Sequence, residues 1–116
     1  MECNELEDNL EFYRHEEVVH IYKGRKGFVD VILAKVDGRW CCGAEARAGS
    51  EGYKWRPSTY LPSYLTRDKA IRAACSQMVD YQTERKILEA IGKDAVRAVW
   101  TAAHYRQTTI FDFIKQ

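Results

Sequence analysis

The chain has 116 residues, 46% of them apolar and 30% charged, which is the balance of one globular domain and leaves no room for a second. That composition excludes wholesale disorder, and the apolar run 28–36 is broken by Asp30 and Lys35 too soon to cross a bilayer, so no membrane partner is expected. The acidic opening Met1-Glu2-Cys3-Asn4-Glu5 lacks the basic start and apolar run of a signal peptide, and a cytoplasmic protein follows.

Net charge at pH 7 is only +1, but it is unevenly distributed. Residues 1–17 carry seven acids (Glu2, Glu5, Glu7, Asp8, Glu11, Glu16 and Glu17) against Arg14, while the stretch from Lys23 to Arg72 carries eleven bases against five acids. The chain therefore divides into an acidic leader (1–17), a basic α+β domain (18–105) and a C-terminal tail (106–116). Within the leader, Leu6, Leu10 and Tyr13 recur at helical spacing and predict a short acidic helix.

From Val18 the period changes to two. Val18, His20 and Tyr22 alternate with Val19, Ile21 and Lys23, and His20 reads as a core histidine on the apolar face of this strand. Gly24-Arg25-Lys26-Gly27 supplies a turn into a second strand over 28–36, rich in β-branched residues. Asp37-Gly38 predicts a two-residue type I′ hairpin, because both central positions of that turn need positive φ. Such a turn sets the register. Lys35/Trp40, Leu33/Cys42, Val31/Ala44 and Val29/Ala46 then share an apolar face, and Asp30/Glu45 and Phe28/Arg47 share the opposite, mostly polar one.

Residues 49–65, holding both prolines, read as a long loop. Thr66 is the expected N-cap of a helix with Asp68 in its first turn and Ile71, Ala74, Cys75, Met78 and Tyr81 on one stripe. Ile87, Leu88 and Ile91 lead to Gly92, a natural C-cap, and a last helix carries Val96, Val99, Trp100 and Ala103. The expected fold is α+β: a three-stranded antiparallel meander packed on one face by C-terminal helices, preceded by the short acidic helix.

This order of strands and helix, with its DG hairpin and the Thr66-x-x-x-Ala70-Ile71 helix start, loosely resembles the double-stranded RNA-binding domain and the HicB-like antitoxin fold. It departs from the first at Thr66-Arg67-Asp68-Lys69, where a Gly-rich, Lys-Lys opening is usual. It departs from the second at Arg47-Ala48-Gly49-Ser50, where a Pro-rich strand end is usual.

The end of the chain, Gln107-Thr108-Thr109-Ile110-Phe111-Asp112-Phe113-Ile114, resembles the sliding-clamp-binding peptides of replication and repair proteins. Gln107, Ile110 and Phe111 match the bacterial pentapeptide, with Thr108 where Leu is usual. Gln107, Ile110, Phe113 and Ile114 match the PIP box of PCNA-type clamps, with Ile114 where a second aromatic is usual. The resemblance implies a Gln that hydrogen-bonds exposed backbone and apolar plugs that enter a pocket. A sliding clamp is the implied partner. The alternative readings of these apolar residues are core packing and self-association.

A second candidate site interleaves cations with flat rings, as nucleic-acid binding requires: Lys23, Arg25 and Lys26 in the first turn, and Lys54, Trp55, Arg56 and Tyr60 in the loop. The acidic leader could occupy that basic surface. The Gly92 break has the outline of a helix-turn-helix, but Leu88 and Ala98 replace the usual small and β-branched residues, so plain helical packing is expected.

Catalysis finds little footing. His15 and His104 stand at element ends, no Cys-x-x-Cys or His-x-x-x-His pair offers zinc ligands, and Lys23-Gly24-Arg25-Lys26-Gly27 is too short for a P-loop. No cofactor is expected. The sequence reads as a non-catalytic accessory protein of DNA replication, repair or a mobile element such as a phage. The alternatives are a phage- or plasmid-borne inhibitor or antitoxin that binds a host protein, and a small nucleic-acid-binding module.

Overall fold

Asp37 and Gly38 both adopt positive φ, 52° and 79°, and join two ten-residue strands in the register that a type I′ turn dictates. The computed structural model describes residues 16–58 and 61–115, with side chains described through His104. The short helix expected in the leader lies outside the described residues.

Strands β1 (Glu17–Gly24), β2 (Gly27–Val36), β3 (Arg39–Ala48) and β4 (Glu51–Trp55) form an antiparallel sheet in sequential order, and β5 (Ser63–Tyr64) pairs with the start of β3. Helices α1 (Arg67–Asp80), α2 (Gln82–Ile91) and α3 (Lys93–Lys115) follow. The fold is α+β, as the alternation and periodicity predict.

All the expected β2–β3 pairs occur, including Leu33 opposite Cys42, Val31 opposite Ala44 and Asp30 opposite Glu45. The face bearing Val29, Val31, Leu33, Cys42, Ala44 and Ala46 is buried with Ala74, Cys75 and Met78 of α1, Leu88 and Ile91 of α2, and Ala95, Val99 and Ala103 of α3. Trp40 and Ile71 pack at its margin. Thr66 caps α1 by accepting the Lys69 N–H at 3.2 Å, and the Gly92 N–H donates to the Leu88 carbonyl to end α2.

Two expectations are corrected. The segment read as a loop from 49 to 65 contains β4 and β5, so the meander has a fourth strand and a short fifth. Glu51-Gly52-Tyr53-Lys54-Trp55 turns Tyr53 and Trp55 to the core opposite Ala46 and Ala44. His20 is no core histidine: its side chain is 75% exposed on the outer face, with Nδ1 2.8 Å from Asp30 Oδ1. The cause is the phase of β1. Val19 faces inward opposite Val31, and a bulge between His20 and Tyr22 brings both Ile21 and Tyr22 against the core.

On the inner side, one titratable pair is poorly provided for. Glu84 of α2 has a buried Oε2 without a hydrogen-bond partner, and burial raises its pKa although the Gln77 side chain hydrogen-bonds to it. The nearby Tyr53 hydroxyl is also buried and unbonded; burial, then Glu84, raises its pKa. An acid whose pKa is raised on folding favours the folded state while protonated and loses that advantage as pH rises through the folded value. Glu84→Gln is therefore expected to raise stability at pH 7 and change it little near pH 3, measured by urea unfolding at the two pH values.

Candidate nucleic-acid interface and C-terminal segment

The outer face of the sheet carries the charge. Side chains alternate along β3, so Arg39, Cys41, Gly43, Glu45 and Arg47 point away from the helices, opposite Val36, Ala34, Ile32, Asp30 and Phe28 of β2. At the end formed by the β1–β2 and β3–β4 turns, Lys23, Arg25, Lys26, Phe28 and Arg47 line an open concavity of about 280 Å³. Lys23, Arg25 and Lys26 are exposed and form no ion pair among the described residues, whereas Arg47 Nε lies 3.2 Å from Glu45 Oε2. Phe28 is half-buried at the rim.

Of the residues read from the sequence as nucleic-acid ligands, the structure gathers Lys23, Arg25 and Lys26 and separates Lys54, Trp55 and Arg56 from them. Lys54 stands on the outer face 3.8 Å from Glu45. Trp55 packs against the core with its Nε1 buried and unbonded, so its ring is committed to the inner side. Arg56 donates to Glu16 at 3.0 Å, and Tyr60 lies outside the described residues. Sequence reasoning did not assign Arg47 and Phe28 to this site. Their signal was present, because the hairpin register already set them opposite one another beside the Gly24–Gly27 turn.

The clamp-like segment lies on α3, whose backbone continues to Lys115. Ala103 is the last residue of the described core, and the side chains of Gln107, Ile110, Phe111, Phe113 and Ile114 lie outside the described residues. Earlier on this helix Trp100 is exposed rather than buried, its ring 4.4 Å from that of His104.

The three described thiols, Cys41, Cys42 and Cys75, are chemically quiet. Burial pushes Cys42 up to about 11 and Cys75 up to about 12 and also raises Cys41, so all three are protonated, not nucleophilic thiolates, at neutral pH. Among the described residues no group of three or more His, Cys, Asp or Glu side chains is placed to hold a metal ion, and no helix is long and apolar enough to cross a membrane.

The fold and the site thus define an α+β domain with a cation-rimmed sheet end and a long C-terminal helix. No family model matches the chain, and neither a curated protein nor a solved structure does.

Proposed function

We propose that this chain is a non-catalytic accessory protein of DNA replication, repair or a mobile element such as a phage, tethered to a sliding clamp by Gln107, Ile110, Phe111, Phe113 and Ile114. The observation that carries the reading is the clamp-peptide pattern Gln107-x-x-Ile110-Phe111 near the end of α3. Docking of the tail as a free peptide requires the final turns of α3 to unwind. The residues there make this inexpensive: Thr108, Thr109, Ile110, Phe111 and Phe113 rank low as helix formers, while each buried Phe returns about 1.5–3 kcal/mol. A labelled peptide of residues 105–116 is expected to bind a bacterial or PCNA-type clamp with micromolar affinity, about −8 kcal/mol, in a fluorescence-anisotropy titration. No binding to either clamp type at ~100 μM refutes the tether.

A second role, nucleic-acid contact, is favoured by the concavity that gathers Lys23, Arg25, Lys26 and Arg47 around the Phe28 ring. Cations there meet phosphates and the ring offers a flat face to a base. A clamp tether raises the effective concentration of DNA at this patch, so modest intrinsic affinity suffices. Arg25→Glu with Lys26→Glu should weaken binding of a single-stranded oligonucleotide about tenfold or more at low salt and flatten the dependence of log K on log salt by about two phosphate contacts. Unchanged affinity and slope exclude this surface.

A further inference from the structure

Toward the Asp37-Gly38 end of the sheet, on the helical side, a second concavity of about 370 Å³ opens between α1, α3 and β5. Its size falls in the range of small-ligand clefts, roughly 300–1,000 Å³. Spacing along α1 builds one wall, because Lys69, Arg72, Ala73 and Ser76 stand at i, i+3, i+4 and i+7 and share a face. That face meets α3 at Ala103 and His104, and Ala73 and Ala103 are too small to fill the space between the two helices. Tyr64 of β5 closes the third side. It is fixed there by pairing with Trp40, and by Arg39, which donates to the Ser63 hydroxyl at 2.7 Å and to the Ser63 carbonyl oxygen at 3.0 Å.

Every polar side chain on this surface can donate a hydrogen bond, and among the described residues no carboxylate lines it. Neither Lys69 nor Arg72 forms an ion pair among the described residues, although Arg72 is half-buried. Two like charges one helical turn apart repel, and an anion seated between them relieves the repulsion. Burial, then Cys42, raises the Tyr64 phenol above its ordinary range, which keeps it a neutral donor at physiological pH.

We propose that this concavity binds a phosphate monoester, with Lys69 and Arg72 paired to the dianion and Ser76, Tyr64 and His104 hydrogen-bonded to its oxygens. A monoester carries about −1.5 to −2 at pH 7 and presents three terminal oxygens, which suits two cations and a ring of donors in a single depression. A chain of singly charged backbone phosphates calls instead for an extended basic track. The site is separate from the patch at the 23–26 turn: Tyr64 pairs with Trp40, seven residues or roughly 23 Å along β3 from Arg47, and Trp40 and Tyr64 lie on the inner side of the sheet whereas Arg47 lies on the outer one. A free nucleotide and the phosphorylated end of a nucleic-acid strand both supply this chemistry.

In the full chain, inorganic phosphate added at constant ionic strength should move the amide NMR signals of Arg72, Ala73, Ser76 and His104. Arg72→Gln should weaken that binding about tenfold or more, since a charge-assisted contact is lost. Arg25→Glu with Lys26→Glu should leave it unchanged, because those groups lie beyond the screening length of about 8 Å at physiological salt. No movement of these signals at about 50 mM phosphate, or binding that survives Arg72→Gln, overturns the inference. If Arg72→Gln loses the fold, the unsubstituted chain decides: shifts centred on α1 and His104 support the site, and shifts scattered over the basic surface refute it. Adenosine 5′-monophosphate and a 5′-phosphorylated single strand, each compared with its unphosphorylated form, then separate the sources. A gain confined to the strand assigns a nucleic-acid end, a gain with the nucleotide assigns a free phosphate ester, and no gain from the phosphate in either refutes the proposal.

Discussion

Replacing Leu33 by Ala is expected to lower folding stability by about 2–5 kcal/mol. Leu33 is fully buried in the second of four strands, paired with Glu17 on one side and Cys42 on the other, and its side chain belongs to the core shared with α1. Two packed layers meet there, so neighbours cannot collapse into the space without moving the sheet or the helix, and the cavity persists. Urea unfolding should show a lower midpoint at unchanged m-value. A loss below about 1 kcal/mol would mean that the site relaxes and that the apolar face is less tightly packed than its burial indicates.

The second large effect concerns the end of α3. Ile110→Ala with Phe111→Ala should reduce clamp affinity about 100-fold or more, since two apolar plugs of roughly 1.5–3 kcal/mol each are removed. Alanine is the best helix former, so helix content by circular dichroism should not fall and the loss cannot be assigned to a shortened α3. The thermal midpoint of the domain should also stay where it is. If the double substitution unfolds the domain, Ile110 and Phe111 are core residues and the tether is refuted.

Much of the sheet was legible because one turn carries so much information. Once Asp37-Gly38 sets the phase of β2 and β3, every side chain of both strands is assigned a face, and alternation from Val29 to Ala46 agrees with it. His20 escaped because a bulge adds a residue, and a strict period of two cannot register the addition. Strand β4 escaped because Gly52 and Lys54 dilute a five-residue stretch in which only Tyr53 and Trp55 are large and apolar; β5 has two residues and no period at all. The same omission led Trp55 to be grouped with the cations. Its neighbour in sequence, Lys54, is on the outer face, but pairing with Ala44 turns the indole inward. Arg47 follows the reverse path: remote in sequence from Lys23, Arg25 and Lys26, it joins them because antiparallel pairing returns β3 to the turn where β2 began.

The bulge in β1 has a bearing on how copies of this chain meet. An edge strand offers an unpaired row of amide and carbonyl groups, and a regular one invites a second molecule to extend the sheet. In β1 the hydrogen-bonding rhythm is interrupted after His20, midway along eight residues, and Glu17 and Lys23 place opposite charges near its two ends. An incoming strand would have to match an irregular spacing and satisfy both charges at once. The local twist that lets Ile21 and Tyr22 both reach the core therefore also makes β1, the edge of the sheet among the described residues, a poorer template for fibrillar stacking.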